Sequence, residues 1–208
     1  MKAQQLKAIG KAIVIFGVNF IAIIAISYYF ADYLNNTTAH WLSIFVNTAF
    51  ILIYLWMYDI SLPRFLNSNA SLKIKQFALI LLLSIAFISV KNIIYASFQP
   101  EFYTNSKAVI SWSLFRIVLI SPLIEEFLFR NMILKNMLDN EVGLIPALLL
   151  SSCLFALLHP VSWLWLLSSF VSGMFYGYLF YKFKHYSAPT TAHAFHNFAV
   201  ELIPFINI

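Results

Sequence analysis

"QFALILLLSIAFISVKNIIYASF", Gln76–Phe98, carries one charged side chain, Lys91, and that cation lies near its far end. A helix needs about 20 predominantly apolar residues to cross a hydrocarbon core of about 30 Å. The stretch meets that length and reads as a transmembrane helix. Composition extends the reading to the whole chain. Its 208 residues are 62% hydrophobic and only 10% charged, with a mean hydropathy of +0.82. Soluble domains carry about 25% charged and roughly 45–50% apolar residues. The expected fold is therefore all-α: a polytopic transmembrane helical bundle whose first partner is the lipid bilayer.

Working outward, the spacing predicts about seven spans in a single domain, 1–208. Residues 1–105 hold three: about Ala12–Phe30, Trp41–Tyr58 and Gln76–Phe98. Residues 106–208 hold a helical stretch at about Ser106–Leu138, then Leu144–His159 ended by Pro160, Trp163–Phe183 and Thr190–Ile206. "DNEVG" and "KFKHYSAP" read as turns. The basic start "MKAQQLKAIGK" precedes an apolar run too long for a signal peptide, and no small-residue cleavage site follows, so it reads as a retained span.

Cations set the orientation. With the N-terminus inside, inner loops hold Lys2, Lys7, Lys11, Arg64, Lys73, Lys75, Lys135, Lys182 and Lys184, while outer loops hold only Lys107. That asymmetry places the N-terminus in the cytoplasm. The net charge of +5 is thus spent on span ends, and no nucleic-acid partner is expected. A single cysteine, Cys153, excludes an intramolecular disulfide framework and a cysteine-based zinc site.

Against this apolar background "SPLIEEFLFR", Ser121–Arg130, stands out. A charge at bilayer depth costs roughly 2.5–3.5 kcal/mol, so Glu125, Glu126 and Arg130 must face protein or a wet cavity. Glu126 and Arg130 are four apart and can pair. Glu125 is turned about 100° away, free to aim elsewhere. The pair is either a structural tie between helices or part of a site. In "FALLHP", Phe155 and His159 share a face; His159 is either a satisfied structural histidine or a catalytic one. In "TTAHAFHNF", His193 and Asn197 share a face with His196 close by. They suit oxyanion donors, metal ligands, or interhelical hydrogen bonds worth about 0.6 kcal/mol each. Lys91 and Glu201 lie near span ends, where long side chains reach the interface. Arg116 has no assigned role.

Taken in order, E-E-x-x-x-R (Glu125, Glu126, Arg130), F-x-x-x-H (Phe155, His159) and H-x-x-x-N (His193, Asn197) resemble the CAAX protease and bacteriocin-processing family of intramembrane endopeptidases, which includes the type II CAAX prenyl endopeptidases. The resemblance covers about Ser111–Phe198 and implies a C-terminal four-helix catalytic core. "APTTAH" departs from the family pattern by lacking its small-residue and tryptophan lead-in.

The resemblance implies that Glu125 and His159 activate a water, that His193 and Asn197 form an oxyanion hole, and that Glu126, Arg130 and Phe155 support them. No cofactor is favoured. The alternative is Zn2+ held by Glu125, His159 and His193, with His196 nearby. There is no H-E-x-x-H, and asparagine is a poor zinc ligand. The expected substrate is an apolar, membrane-associated peptide. Richness in Ile, Phe, Asn and Lys points to an AT-rich bacterial genome and its cytoplasmic membrane, where leader, signalling or bacteriocin peptides are expected rather than prenylated proteins. A non-enzymatic bacteriocin immunity protein is the alternative. A proton-coupled transporter is disfavoured, because no inverted hydropathy repeat is visible.

Depth poses one difficulty. Glu125 and His159 are equidistant from the turn near Val142, but His193 follows the basic turn at Lys184 by only about nine residues, a mismatch of about 10 Å. Either the helix after Arg130 continues beyond the membrane, or the last helix enters from a deep loop.

Overall fold

The computed structural model describes residues 2–29, 42, 44–46, 48–53, 73–98, 112–159 and 162–206. Six helices carry the argument: α1 (Ala3–Tyr29), α2 (Ile74–Phe98), α3 (Trp112 to Asp139), α4 (Leu144–Leu157), α5 (Trp163–Phe183) and α6 (Ser187–Ile206). No strand occurs among the described residues. The expected all-α fold is borne out. Ala3–Ala22, Ile74–Lys91 and Trp163–Phe183 are each long and apolar enough to cross a membrane, and α4 is apolar but shorter. Residues 41, 43, 47 and 54–58 of the expected second span, 41–58, lie outside the described residues, as do Pro160 and the loops around Pro63 and Tyr103.

Apolar spacing explains why α1 and α2 pack as they do. Ala8, Ala12, Ile15 and Phe16 are buried, a stripe at helical spacing along α1. Phe16 meets Phe129 of α3 at 6.4 Å. On α2, Ile80, Ser84 and Ile88 are buried while Leu82, Val90 and Ile93 are more than half exposed. In a chain of this composition, outward apolar faces of this kind meet lipid.

Three boundaries differ from expectation. α1 starts at Ala3 rather than near Ala12, because polar groups at its start find partners. Lys2 Nζ pairs with Glu141 at 2.8 Å. Gln5 Nε2 donates to the Glu141 carbonyl at 2.8 Å, and Asn136 Nδ2 to the Ala8 carbonyl at 3.2 Å. The start of α1 and the α3–α4 turn therefore lie on one side. That turn is closed by Glu141 in the left-handed region, φ 61°, with Val142 N–H donating to the Met137 carbonyl. α4 ends at Leu157, leaving His159 just beyond the helix. α6 begins at Ser187, three residues early.

The depth mismatch also has an answer. Tyr186, in the basic turn, donates its hydroxyl to the Leu123 carbonyl and meets Phe127 edge-on at 6.3 Å. The turn therefore packs on α3 beside the acidic motif, and α6 enters from deep in the bundle.

Two glycines let α4 and α5 close up. A Cβ on Gly173 would sit 3.1 Å from the Ser152 Cα, and one on Gly177 only 2.7 Å from the buried Leu148 Cδ2. Gly173 faces backbone, which cannot rotate away. Gly173→Leu is expected to cost about 1–3 kcal/mol or more, read as a lower unfolding temperature of the protein in detergent.

Candidate active site

The site hangs on α3, whose backbone is not uniformly α-helical. Arg116–Ile120 and Phe127–Leu134 are π-type, with N–H of Ser121 bonded to the Arg116 carbonyl and N–H of Lys135 to the Arg130 carbonyl. Such insertions are uncommon and concentrate at functional positions. Between them, Ser121–Glu126 is ordinary α-helix; Pro122, inside α3, brings no N–H to the helix, and the Ile117 carbonyl a turn earlier accepts from Asn197.

Glu126 and Arg130 are both fully buried. Arg130 Nε donates to Glu126 Oε2 at 2.6 Å, and Nη2 reaches Oε1 at 3.5 Å. A buried pair survives only if its remaining hydrogen-bonding capacity is filled. Arg130 Nη1 donates to Ser151 Oγ at 3.2 Å, and Ser151 passes its own proton to the Phe129 carbonyl at 3.1 Å. The guanidinium also lies over the Phe155 ring, 5.3 Å from its centroid. Glu126 Oε1 accepts from His193 Nδ1 at 2.9 Å. The ion pair thus ties α3 to α4 and α6 and also holds a histidine.

Glu125 points the other way, as its rotation around α3 requires. Its Oε2 is 3.8 Å from His159 Nε2 and 4.0 Å from His193 Nε2. That oxygen is buried, and no described group donates a hydrogen bond to it. The Glu125 and His159 side chains stay about a quarter exposed, while His193 is nearly buried. Partners fix the tautomers. His159 Nδ1 faces the Phe155 carbonyl at 3.0 Å, and His193 Nδ1 faces a carboxylate, so both Nδ1 atoms carry hydrogen. In the neutral rings both Nε2 atoms are then acceptors. Three acceptors converge on one small space, an arrangement that calls for a bridging donor or a cation.

Phe155 sits at the centre. Its ring lies 4.9 Å from His159 and 5.7 Å from His193, the latter edge-on. Asn197 Nδ2 donates to the Ile117 carbonyl at 2.8 Å, inside the first π segment, leaving its second N–H uncommitted by that bond. Six of the seven motif residues are therefore linked about the middle of α3, while Asn197 meets α3 at Ile117, eight residues before Glu125. Arg116 is buried in the same π segment.

Zinc takes Glu and His ligands at about 2.0–2.2 Å. Tetrahedral geometry at those lengths separates ligand atoms by about 3.4 Å, and Glu125 stands wider than that from both histidines. Among the described residues, no cluster of three His, Cys, Asp or Glu side chains has metal-binding spacing. A water about 2.8 Å from each of two acceptors spans the observed gap at an angle of about 90°.

Two residues at the site, Ser151 and Tyr176, have no role expected from the sequence, and a third, Lys91, has a different one. Ser151 was legible, since Ser151, Phe155 and His159 repeat every four residues on one face of α4. Tyr176 of α5 stacks on His193 at 4.8 Å and 15°, without any local signal in an aromatic-rich chain. Lys91 was expected to reach towards the interface; instead its Nζ contacts His196 Nε2. The Glu201 side chain lies outside the described residues.

Residues 107–199 match the family model described as type II CAAX prenyl endopeptidase Rce1-like. All three motifs lie within that segment, which is similar to that family. No curated protein and no solved structure matches the chain.

Proposed function

We propose that the Rce1-like segment hydrolyses peptide bonds of membrane-associated peptides with Glu125 as general base. One observation carries this reading: a buried Glu125 oxygen that receives no hydrogen bond and faces two imidazole Nε2 atoms across a gap of water size. A bridging water would donate one O–H to Glu125 Oε2 and the other to His159 Nε2. Its lone pair attacks the scissile carbonyl carbon as its proton passes to Glu125. The new C–O bond leaves an oxyanion. Glu125 then returns the proton to the amide nitrogen, the C–N bond breaks, and the carboxylate is restored.

His193 and Asn197 supply the oxyanion donors in this scheme. For that role the His193 Nε2–H faces the oxyanion while Glu126 holds Nδ1. The second Asn197 N–H is the other donor. The wide Glu125–histidine spacing favours water without zinc.

The substrate class follows from the setting. A largely buried base inside an apolar bundle selects chains that partition into the bilayer, which fits leader, signalling or bacteriocin peptides. The contact of Lys2 with the α3–α4 turn groups Lys2 with Lys135 on one side. That grouping supports a cytoplasmic N-terminus in a bacterial cytoplasmic membrane.

The test is mass-spectrometric cleavage mapping on a mixed pool of apolar and C-terminally prenylated peptides, with and without a zinc chelator. Cleavage that persists in chelator supports the proposal. Loss of cleavage that added zinc restores would replace the water assignment with a metal one. No cleavage of any peptide would move the weight to a bacteriocin immunity protein that binds without cutting.

A further inference from the structure

Behind His193 lies a buried chain of polar side chains that hydrolysis as described does not use. Lys91 Nζ of α2 contacts Nε2 of His196 on α6. His196 Nδ1 and the Tyr176 hydroxyl on α5 are 2.6 Å apart. The Tyr176 ring then stacks on the His193 ring. Tyr176 and His196 are both buried. One turn before Lys91, Phe87 stacks on Phe175 at 4.3 Å and 9°. Two anchors of α2 therefore bear on the same turn of α5, through Phe175 directly and through His196 onto Tyr176.

The His193 ring needs what this chain supplies. Its bond to Glu126 fixes one ring atom, and a single hydrogen bond leaves rotation about its own axis open. The direction of Nε2 is set only when the ring plane is set. Phe155 meets the ring edge-on, and Tyr176 lies flat against it. Tyr176 can hold that plane only if it is itself held. Its one polar atom is the hydroxyl, which His196 engages, and His196 is engaged in turn by Lys91. A lysine at this depth is costly, and a snorkelling role would turn it towards the interface rather than onto a histidine.

We propose that Lys91 is a positioning residue for hydrolysis: acting through His196 and Tyr176, it sets the plane of the His193 imidazole and hence the direction of its Nε2. The inference rests on the hydrolytic reading of the site. It also extends that site beyond residues 107–199, since Lys91 belongs to the N-terminal half.

The test uses the full chain in micelles with 15N-labelled histidine. Ring signals are assigned from His193→Gln and His196→Gln, then compared in Lys91→Met and Lys91→Arg. In Lys91→Met the ring signals of both His196 and His193 are expected to move. On a peptide found by cleavage mapping, kcat is expected to fall about 10–100-fold at unchanged KM, and Lys91→Arg to restore part of it. A His196 shift with an unmoved His193 overturns the proposal. So does a fall in kcat that Lys91→Arg leaves unrepaired. If Lys91→Met does not fold, Tyr176→Phe removes only the hydroxyl, and the same His193 shift is expected. A failure of the unmutated chain to cleave counts against the hydrolytic reading, whereas the ring signals decide separately whether Lys91 governs His193.

Discussion

Glu125→Gln is expected to lower kcat by about 10²–10⁴-fold while leaving the unfolding temperature unchanged or slightly raised. The two halves of that expectation come from the same atom. Glutamine has nearly the shape of glutamate but cannot accept the proton of an attacking water. In the folded chain Glu125 Oε2 receives no hydrogen bond from any described group, so the replacement breaks no bond at that oxygen. It also removes a charge from a site that is three-quarters buried. Single-turnover cleavage of a mapped peptide and thermal unfolding in the same detergent measure both quantities. Activity within twofold of the unmutated chain would remove Glu125 as the base. A large fall in unfolding temperature would give it a structural role instead.

How much of this was legible in the sequence depends on the range of each signal. The α5 bounds, Trp163–Phe183, are those read from the sequence, because local chemistry sets both ends. Ser162 caps the start by accepting from Trp165 N–H at 3.1 Å, and Lys184 adopts the left-handed conformation at the end. Pairing of Glu126 with Arg130 was readable too, since both lie on one helix. The start of α1 was not, because its partners, Asn136, Asn140 and Glu141, lie across the fold. Lys91 was misread for the same reason. Its partner is 105 residues away, and the residues of its own span point a lysine only towards the nearer interface. The π segments of α3 carry no mark in the residues themselves; they go with buried groups, Arg116 and Arg130, at which the helix widens. Motif order announced the site, while the helices that steady it were visible only in three dimensions.

Arg130→Met is expected to destabilise the protein by about 3–5 kcal/mol. The reason lies in what remains. Glu126 is fully buried, and without the guanidinium it keeps only His193 as a partner. An uncompensated buried carboxylate must then be protonated or drag water inward, and either disturbs the packing of Phe129, Leu134 and Phe155 around it. Ser151 loses its donor as well. Removing both charges separates stability from function. In Glu126→Gln/Arg130→Met the orphaned charge is gone, and replacing a buried ion pair by neutral groups of similar volume is often tolerated. That double variant is expected to unfold at a higher temperature than Arg130→Met alone, yet to stay inactive. His193 Nδ1 would then face a neutral amide, which holds the ring less firmly than a carboxylate does. Unfolding temperatures in detergent and cleavage rates on one mapped peptide decide the matter. Recovered stability with recovered activity would make the pair a structural tie between helices. Recovered stability without activity would show that Glu126 and Arg130 are kept, at some cost in stability, to hold the His193 ring in place.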